Sequence, residues 1–136
     1  MFIQHDKIVR DQITKHNGRE LQNLGDGFML SFESASAAIK CACDIQKEIS
    51  WNIPTIKVRM GINTGEVVRR EGKHPFGQAV VVTSRIASRA KGEQILVSDV
   101  TKHLISGSRF PFIEKGRFKP KGFRETMKIH EVSWKG

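Results

Sequence analysis

The sequence predicts an α+β fold in which helices pack on one side of a largely antiparallel sheet. Three observations predict it. Apolar residues recur at helical spacing near residues 2–16, 33–53 and 78–90, and they alternate with period two over residues 56–62. Turn-forming Gly, Asn and Asp then separate strands that follow one another directly. At 136 residues, 38% hydrophobic and 27% charged, the chain suits one domain with a modest core.

From Phe2 to His16, the residues Phe2, Val9 and Ile13 share a helical face, and Asn17-Gly18 supplies a left-handed stop. Residues 19–32 read as a hairpin about Gly25-Asp26-Gly27, because glycine tolerates the positive φ of a tight turn and a carboxylate favours one. Asp26 is thereby held at a hairpin tip. A second helix begins at Glu33-Ser34 with Ser34 as its cap, and buries Ala38, Cys41, Ala42, Ile45 and Ile49 before ending ahead of Pro54. Ile56 to Ile62 is a half-buried strand, and Asn63-Thr64-Gly65 turns it into Glu66–Arg70, a second hairpin followed by a polar loop to Pro75.

Between Gln78 and Ala90, the apolar positions Ala79, Val82, Ile86 and Ala90 fit a helix, while the β-branched run there suits a strand. A strand (Gln94–Val97), a short helix (Asp99–Ile105) and two strands around Phe110–Phe118 and Met127–Val132 complete the chain. The last two are joined by the basic, proline-stiffened loop Lys119-Pro120-Lys121-Gly122-Phe123-Arg124.

The formal charge of +9 and pI near 9.9 favour anionic partners without choosing among nucleotides, nucleic acids and acidic proteins. Cys41 and Cys43 stand two apart on a helix and point to different sides, which argues against a disulfide or a zinc site. No apolar run approaches the roughly 20 residues of a membrane span, and Met1–Arg10 mixes charges into its apolar positions. A cytoplasmic protein without a membrane segment is expected.

Three separated segments resemble the catalytic domain of the class III adenylyl and guanylyl cyclases. They are Leu24-Gly25-Asp26-Gly27-Phe28-Met29, Val58-Arg59-Met60-Gly61-Ile62-Asn63-Thr64-Gly65-Glu66-Val67 and Phe76-Gly77-Gln78-Ala79-Val80-Val81-Val82-Thr83-Ser84-Arg85. Lys121 to Glu125 and Ile129 to Val132 look like the family's closing loop and strand, so the match runs along essentially the whole chain. The resemblance implies a ferredoxin-like core with added elements. It also implies attack of a ribose 3′-hydroxyl on the α-phosphate of ATP or GTP with loss of pyrophosphate, aided by two Mg²⁺ or Mn²⁺ ions across a head-to-tail dimer.

On that resemblance Asp26 is a metal carboxylate, Arg85 stabilises the reacting phosphate, and Lys121 grips the triphosphate. Gln22 occupies the base-reading position, with His74 aligned as its partner, and an amide distinguishes neither adenine nor guanine. Two departures stand out. The family's first metal carboxylate lies on a strand ahead of the opening helix, and a helix and one strand use all 25 residues before Asp26. Residues 1–136 therefore read as one partial cyclase domain missing its first strand, a poor holder of two metal ions. Val81 stands where the family places a ribose-orienting asparagine, and losing such a donor costs on the order of 100- to 1,000-fold in rate.

The leading expectation is a cyclase domain that is weak or inactive alone, working as a homodimer or beside a fused regulatory domain. The alternative is a degenerate cyclase-homology module acting in dimerisation or nucleotide-dependent regulation. RNA binding ranks last, since the chain has no tyrosine and its phenylalanines fit core positions.

Overall fold

A computed structural model describes residues 3–25, 27–68, 75–105 and 110–135. Helix α1 (Ile3–Lys15) leads into strands β1 (Arg19–Asn23) and β2 (Phe28–Ser31), followed by α2 (Ala35–Asn52), β3 (Met60–Ile62) and α3 (Gln78–Arg89). Strand β4 (Ile95–Ser98), helix α4 (Asp99–His103), β5 (Phe112–Phe118) and β6 (Met127–Val132) complete the order. Local chemistry sets the helix ends. Asn17 takes a positive φ of 56°, and the Gly18 N–H donates to the Ile13 carbonyl at 2.8 Å, closing α1. The Ser34 hydroxyl accepts from the Ala37 N–H and opens α2, which ends at Ile53 ahead of Pro54.

The strands form two sheets. One is the β1–β2 hairpin; the other has the order β3-β4-β6-β5, with β3 and β4 parallel and the remaining pairs antiparallel. A parallel pair needs a crossover, and α3 supplies it. This corrects the expected second hairpin: β3 pairs with β4, whereas Val68 bridges antiparallel to Phe76 through two 2.9 Å hydrogen bonds. The turn after β3 instead seats α3, since Asn63 Nδ2 donates to the Ala79 carbonyl at 3.3 Å and a Cβ on Gly65 would lie 2.6 Å from that of Ala79. The strand expected from Ile56 is also shorter, because its early backbone bonds elsewhere. The Val58 carbonyl accepts from Gln46 Nε2 at 2.9 Å and from the Glu93 N–H at 2.7 Å.

Helices cover both faces of the larger sheet, not one. Ile95, Val97 and Val132 meet Ile39, Ala42 and Cys43 of α2, while Leu96 and Ile129 meet Val82, Ile86 and Ala90 of α3. Alternate residues of β4 thus serve opposite layers. Each fully buried aliphatic side chain here contributes about 1.5–3 kcal/mol, enough for the helical pattern of Val82 and Ile86 to override the β preference of the Val80–Val82 run. A third cluster joins Val9 and Ile13 of α1 to Cys41, Ile45 and Ile49 of α2, and takes in Phe28 and Leu30 of β2 and Met60 of β3. The two sheets therefore share an apolar floor, and among the described residues β2 and β3 each keep one edge without a strand partner. Both cysteines are buried and free, and burial pushes the Cys41 thiol up to about 12.

Candidate functional site

Arg85 and Lys121 are mounted on elements that pack against each other. Arg85 projects from the exposed side of α3, whose buried side carries Val82 and Ile86. Phe123 packs on that same cluster, and its N–H donates to the Pro120 carbonyl at 3.0 Å. Lys121 occupies the second position of this turn and Gly122 the third with φ 89°, as a type II turn requires. Pro120 is buried and Lys121 exposed, so the loop is anchored on both sides of a projecting ammonium group. At the end of α3, Arg89 lies over the Phe118 ring, 5.3 Å from its centre, which fastens the helix to β5. Among the described residues neither Arg85 nor Lys121 has an acidic partner.

Gly61 lets α3 approach the sheet this closely, since a Cβ there would fall 2.4 Å from the Ala87 nitrogen. Gly77 precedes the helix with φ 128°, a conformation that favours glycine. Val81 is exposed (42%) four residues before Arg85, so an apolar surface lies beside the guanidinium on one face of α3.

Gln22 sits on β1, where the ladder slips by one residue. Glu20 pairs with Leu30, yet Gln22 pairs with Met29 instead of Phe28. Phe28 and Leu30 face the α1–α2 layer, so the slip turns Gln22 toward the face opposite those helices. Strict alternation along the strand would have left it on the helix side. Asp26 and His74 lie outside the described residues. Among the described neighbours, the Leu24 N–H donates to the Gly27 carbonyl and the Gly25 N–H to Asn23 Oδ1, each at 2.8 Å, and Gly25 takes φ 88°. Thus Arg85 and Lys121 stand exposed on elements that share one apolar cluster, while Gln22 belongs to a separate two-stranded sheet.

Sequence reasoning missed a cluster behind this hairpin. Arg10 Nε and Nη2 donate to the Glu20 carboxylate at 3.0 and 3.4 Å, the Arg10 guanidinium lies 5.2 Å from the Phe28 ring centre, and His5 stacks on the same ring. Helical periodicity finds the buried side of α1 and gives no sign of a cation reaching a strand ten residues on. Among the described residues no group of three or more His, Cys, Asp or Glu is placed to hold a metal ion. No helix among them is long and apolar enough to cross a membrane.

The split α+β sheet carries the exposed cations Arg85 and Lys121 on α3 and on the loop before β6. Residues 1–133 match the family described as the adenylate and guanylate cyclase catalytic domain, and the chain belongs to that family. It is similar to an adenylate/guanylate cyclase/hydrolase structure from Silicibacter pomeroyi, with 25% identity and a TM-score of 0.85 over 97% of this chain and 82% of that one. The adenylyl cyclase CyaB from P. aeruginosa shares the fold, with 24% identity and a TM-score of 0.79 over 96% of this chain and 79% of that one. An uncharacterised protein of Mycobacterium tuberculosis is 32% identical over 123 residues, 86% of this chain and 41% of the relative. The chain thus spans about two fifths of that relative's length.

Proposed function

We propose that residues 1–136 act as one partial catalytic domain of a class III nucleotidyl cyclase, turning ATP or GTP into the 3′,5′-cyclic nucleotide and pyrophosphate in intracellular signalling. The observation that carries this reading is the exposed pair Arg85 and Lys121, without acidic partners among the described residues, on a helix and a loop that share the apolar cluster on which Phe123 packs. In the reaction the 3′-hydroxyl gives its proton to water, its oxygen bonds to the α-phosphorus, and pyrophosphate leaves with the electrons of the broken P–O bond. Negative charge then grows on the phosphate oxygens. A planar guanidinium meets that charge with paired N–H donors, and an ammonium group grips the triphosphate as a point charge.

In this proposal Gln22, which pairs with Met29 beyond the slip in β1, reads the base with His74. Asp26 is the residue offered to Mg²⁺ or Mn²⁺, and one carboxylate holds such ions poorly. A partner copy in a head-to-tail dimer completes the site, and a fused regulatory domain is the alternative partner. Working alone, the chain is weak or inactive. Val81 favours a second reading, a cyclase-homology module that has given up catalysis for dimerisation or nucleotide-dependent regulation, because an exposed valine beside Arg85 offers no hydrogen bond to a ribose.

Incubation with ATP or GTP and Mn²⁺, followed by detection of cyclic product and pyrophosphate, tests the catalytic reading. Product formation that Asp26→Ala abolishes supports it. Product whose rate Asp26→Ala leaves unchanged removes the metal role. No product, with triphosphate binding intact, selects the regulatory module.

A further inference from the structure

The β1–β2 hairpin forms its ladder hydrogen bonds within itself, and among the described residues neither strand pairs with the four-stranded sheet. Side chains therefore set its orientation. Phe28, Leu30 and Phe32 dock it on Val9, Ile13, Cys41 and Ile45, but apolar contact is non-directional and leaves small rotations inexpensive. The directional contacts come from α1. Arg10 makes a two-point fork to Glu20 on β1, at 3.0 and 3.4 Å, and lies 5.2 Å from the centre of the Phe28 ring on β2. His5 stacks on that ring from the same helix, with centroids 6.3 Å apart and planes 18° from parallel. One guanidinium thus touches both strands, and Phe28 stands two residues after Asp26.

We infer that Arg10 is a positioning residue, which sets the angle of the hairpin and with it the placement of Gln22 on β1. The inference rests on the nucleotide-handling role proposed above for Gln22. Arginine suits the task because its planar fork can hold a carboxylate at two points while stacking on a ring, which an ammonium group cannot do. The pair is exposed, with 51% and 32% of the two side chains accessible, so it adds little to global stability. Orientation is what its loss changes.

The test compares the full chain with Arg10→Ala, Arg10→Lys and the charge swap R10E/E20R. Hydrogen exchange is read across residues 19–31, and binding of a non-hydrolysable triphosphate is read with Mn²⁺ present. The expected result is a thermal midpoint close to that of the unmodified chain, with hairpin amides exchanging roughly 3- to 10-fold faster in both single variants and α2 unchanged. Triphosphate affinity falls by a similar factor, and the swap restores part of both. Unchanged hairpin exchange in Arg10→Ala overturns the inference whatever the nucleotide does. Faster exchange with unchanged triphosphate affinity leaves Arg10 holding the hairpin but overturns its service to the nucleotide, and places the fault in the proposed role of Gln22.

Discussion

Gly61 of β3 and Ala87 of α3 meet so closely that a methyl group on Gly61 would lie 2.4 Å from the Ala87 nitrogen and 2.7 Å from its Cα. Both atoms are helix backbone, so nothing flexible can give way. Gly61→Ala is expected to lower stability by about 1–3 kcal/mol as α3 is pushed off the sheet, read as a lower urea midpoint at unchanged slope. Gly27→Ala is the contrast: a Cβ there meets nothing within 4 Å, and its effect on folding should stay within about 0.5 kcal/mol.

Phe123 ties the loop bearing Lys121 to the helix bearing Arg85. It is half-buried, so Phe123→Ala should cost about 1–2 kcal/mol, less than truncation of a fully buried ring. Triphosphate affinity should fall further than this loss of stability explains, because Lys121 is released from its frame. Calorimetry well below the unfolding midpoint separates the two effects. An affinity equal to that of the unmodified chain would detach the loop from the site.

Much of this architecture was legible in the residues themselves. The Ser34 cap, the Asn17 stop and the stripe from Cys41 to Ile49 are local patterns with local causes, and each is found where the sequence places it. Strand pairing was less legible because it depends on distant partners. Nothing in residues 56–70 reveals that β3 takes β4 as its parallel neighbour, or that Val58 spends its carbonyl on Gln46 and Glu93. The slip that turns Gln22 outward is likewise a property of two strands together. Of the candidate site, Arg85 and Lys121 stand exposed on packed neighbours, and Asp26 and His74 lie outside the described residues.

Val81 lies on the exposed face of α3, so substitution there need not disturb the core. Val81→Asn is expected to leave the thermal midpoint nearly unchanged. It should raise cyclic-product formation with Mn²⁺ by about 10-fold or more, part of what one positioned hydrogen-bonding group supplies in a transition state. An unchanged rate in a chain that still binds triphosphate would mean that the absent carboxamide is not what limits turnover.

Asp99 and His130 form a 2.7 Å contact that fastens α4 to β6, with His130 buried. The hydrogen bond from His130, aided by the nearby positive charge of His103 and Lys128, holds the Asp99 carboxyl below its ordinary 3.8, against the opposing effect of burial. A depressed folded-state value means that the stabilisation is full above the ordinary value and is lost as pH falls through the folded one. The stability gap between the unmodified chain and Asp99→Asn should therefore narrow as pH drops below about 4. Urea midpoints at neutral and acid pH measure it, and a gap independent of pH would contradict the assignment.

The central claim is that Arg85 and Lys121 together receive a nucleoside triphosphate. Titration calorimetry with a non-hydrolysable ATP or GTP analogue and Mn²⁺ tests it most directly. The account predicts binding by the unmodified chain that weakens by about 10-fold or more in Arg85→Ala and in Lys121→Ala, as expected for loss of a charge-assisted contact to phosphate. Absence of binding, or equal affinity in both variants, would contradict it.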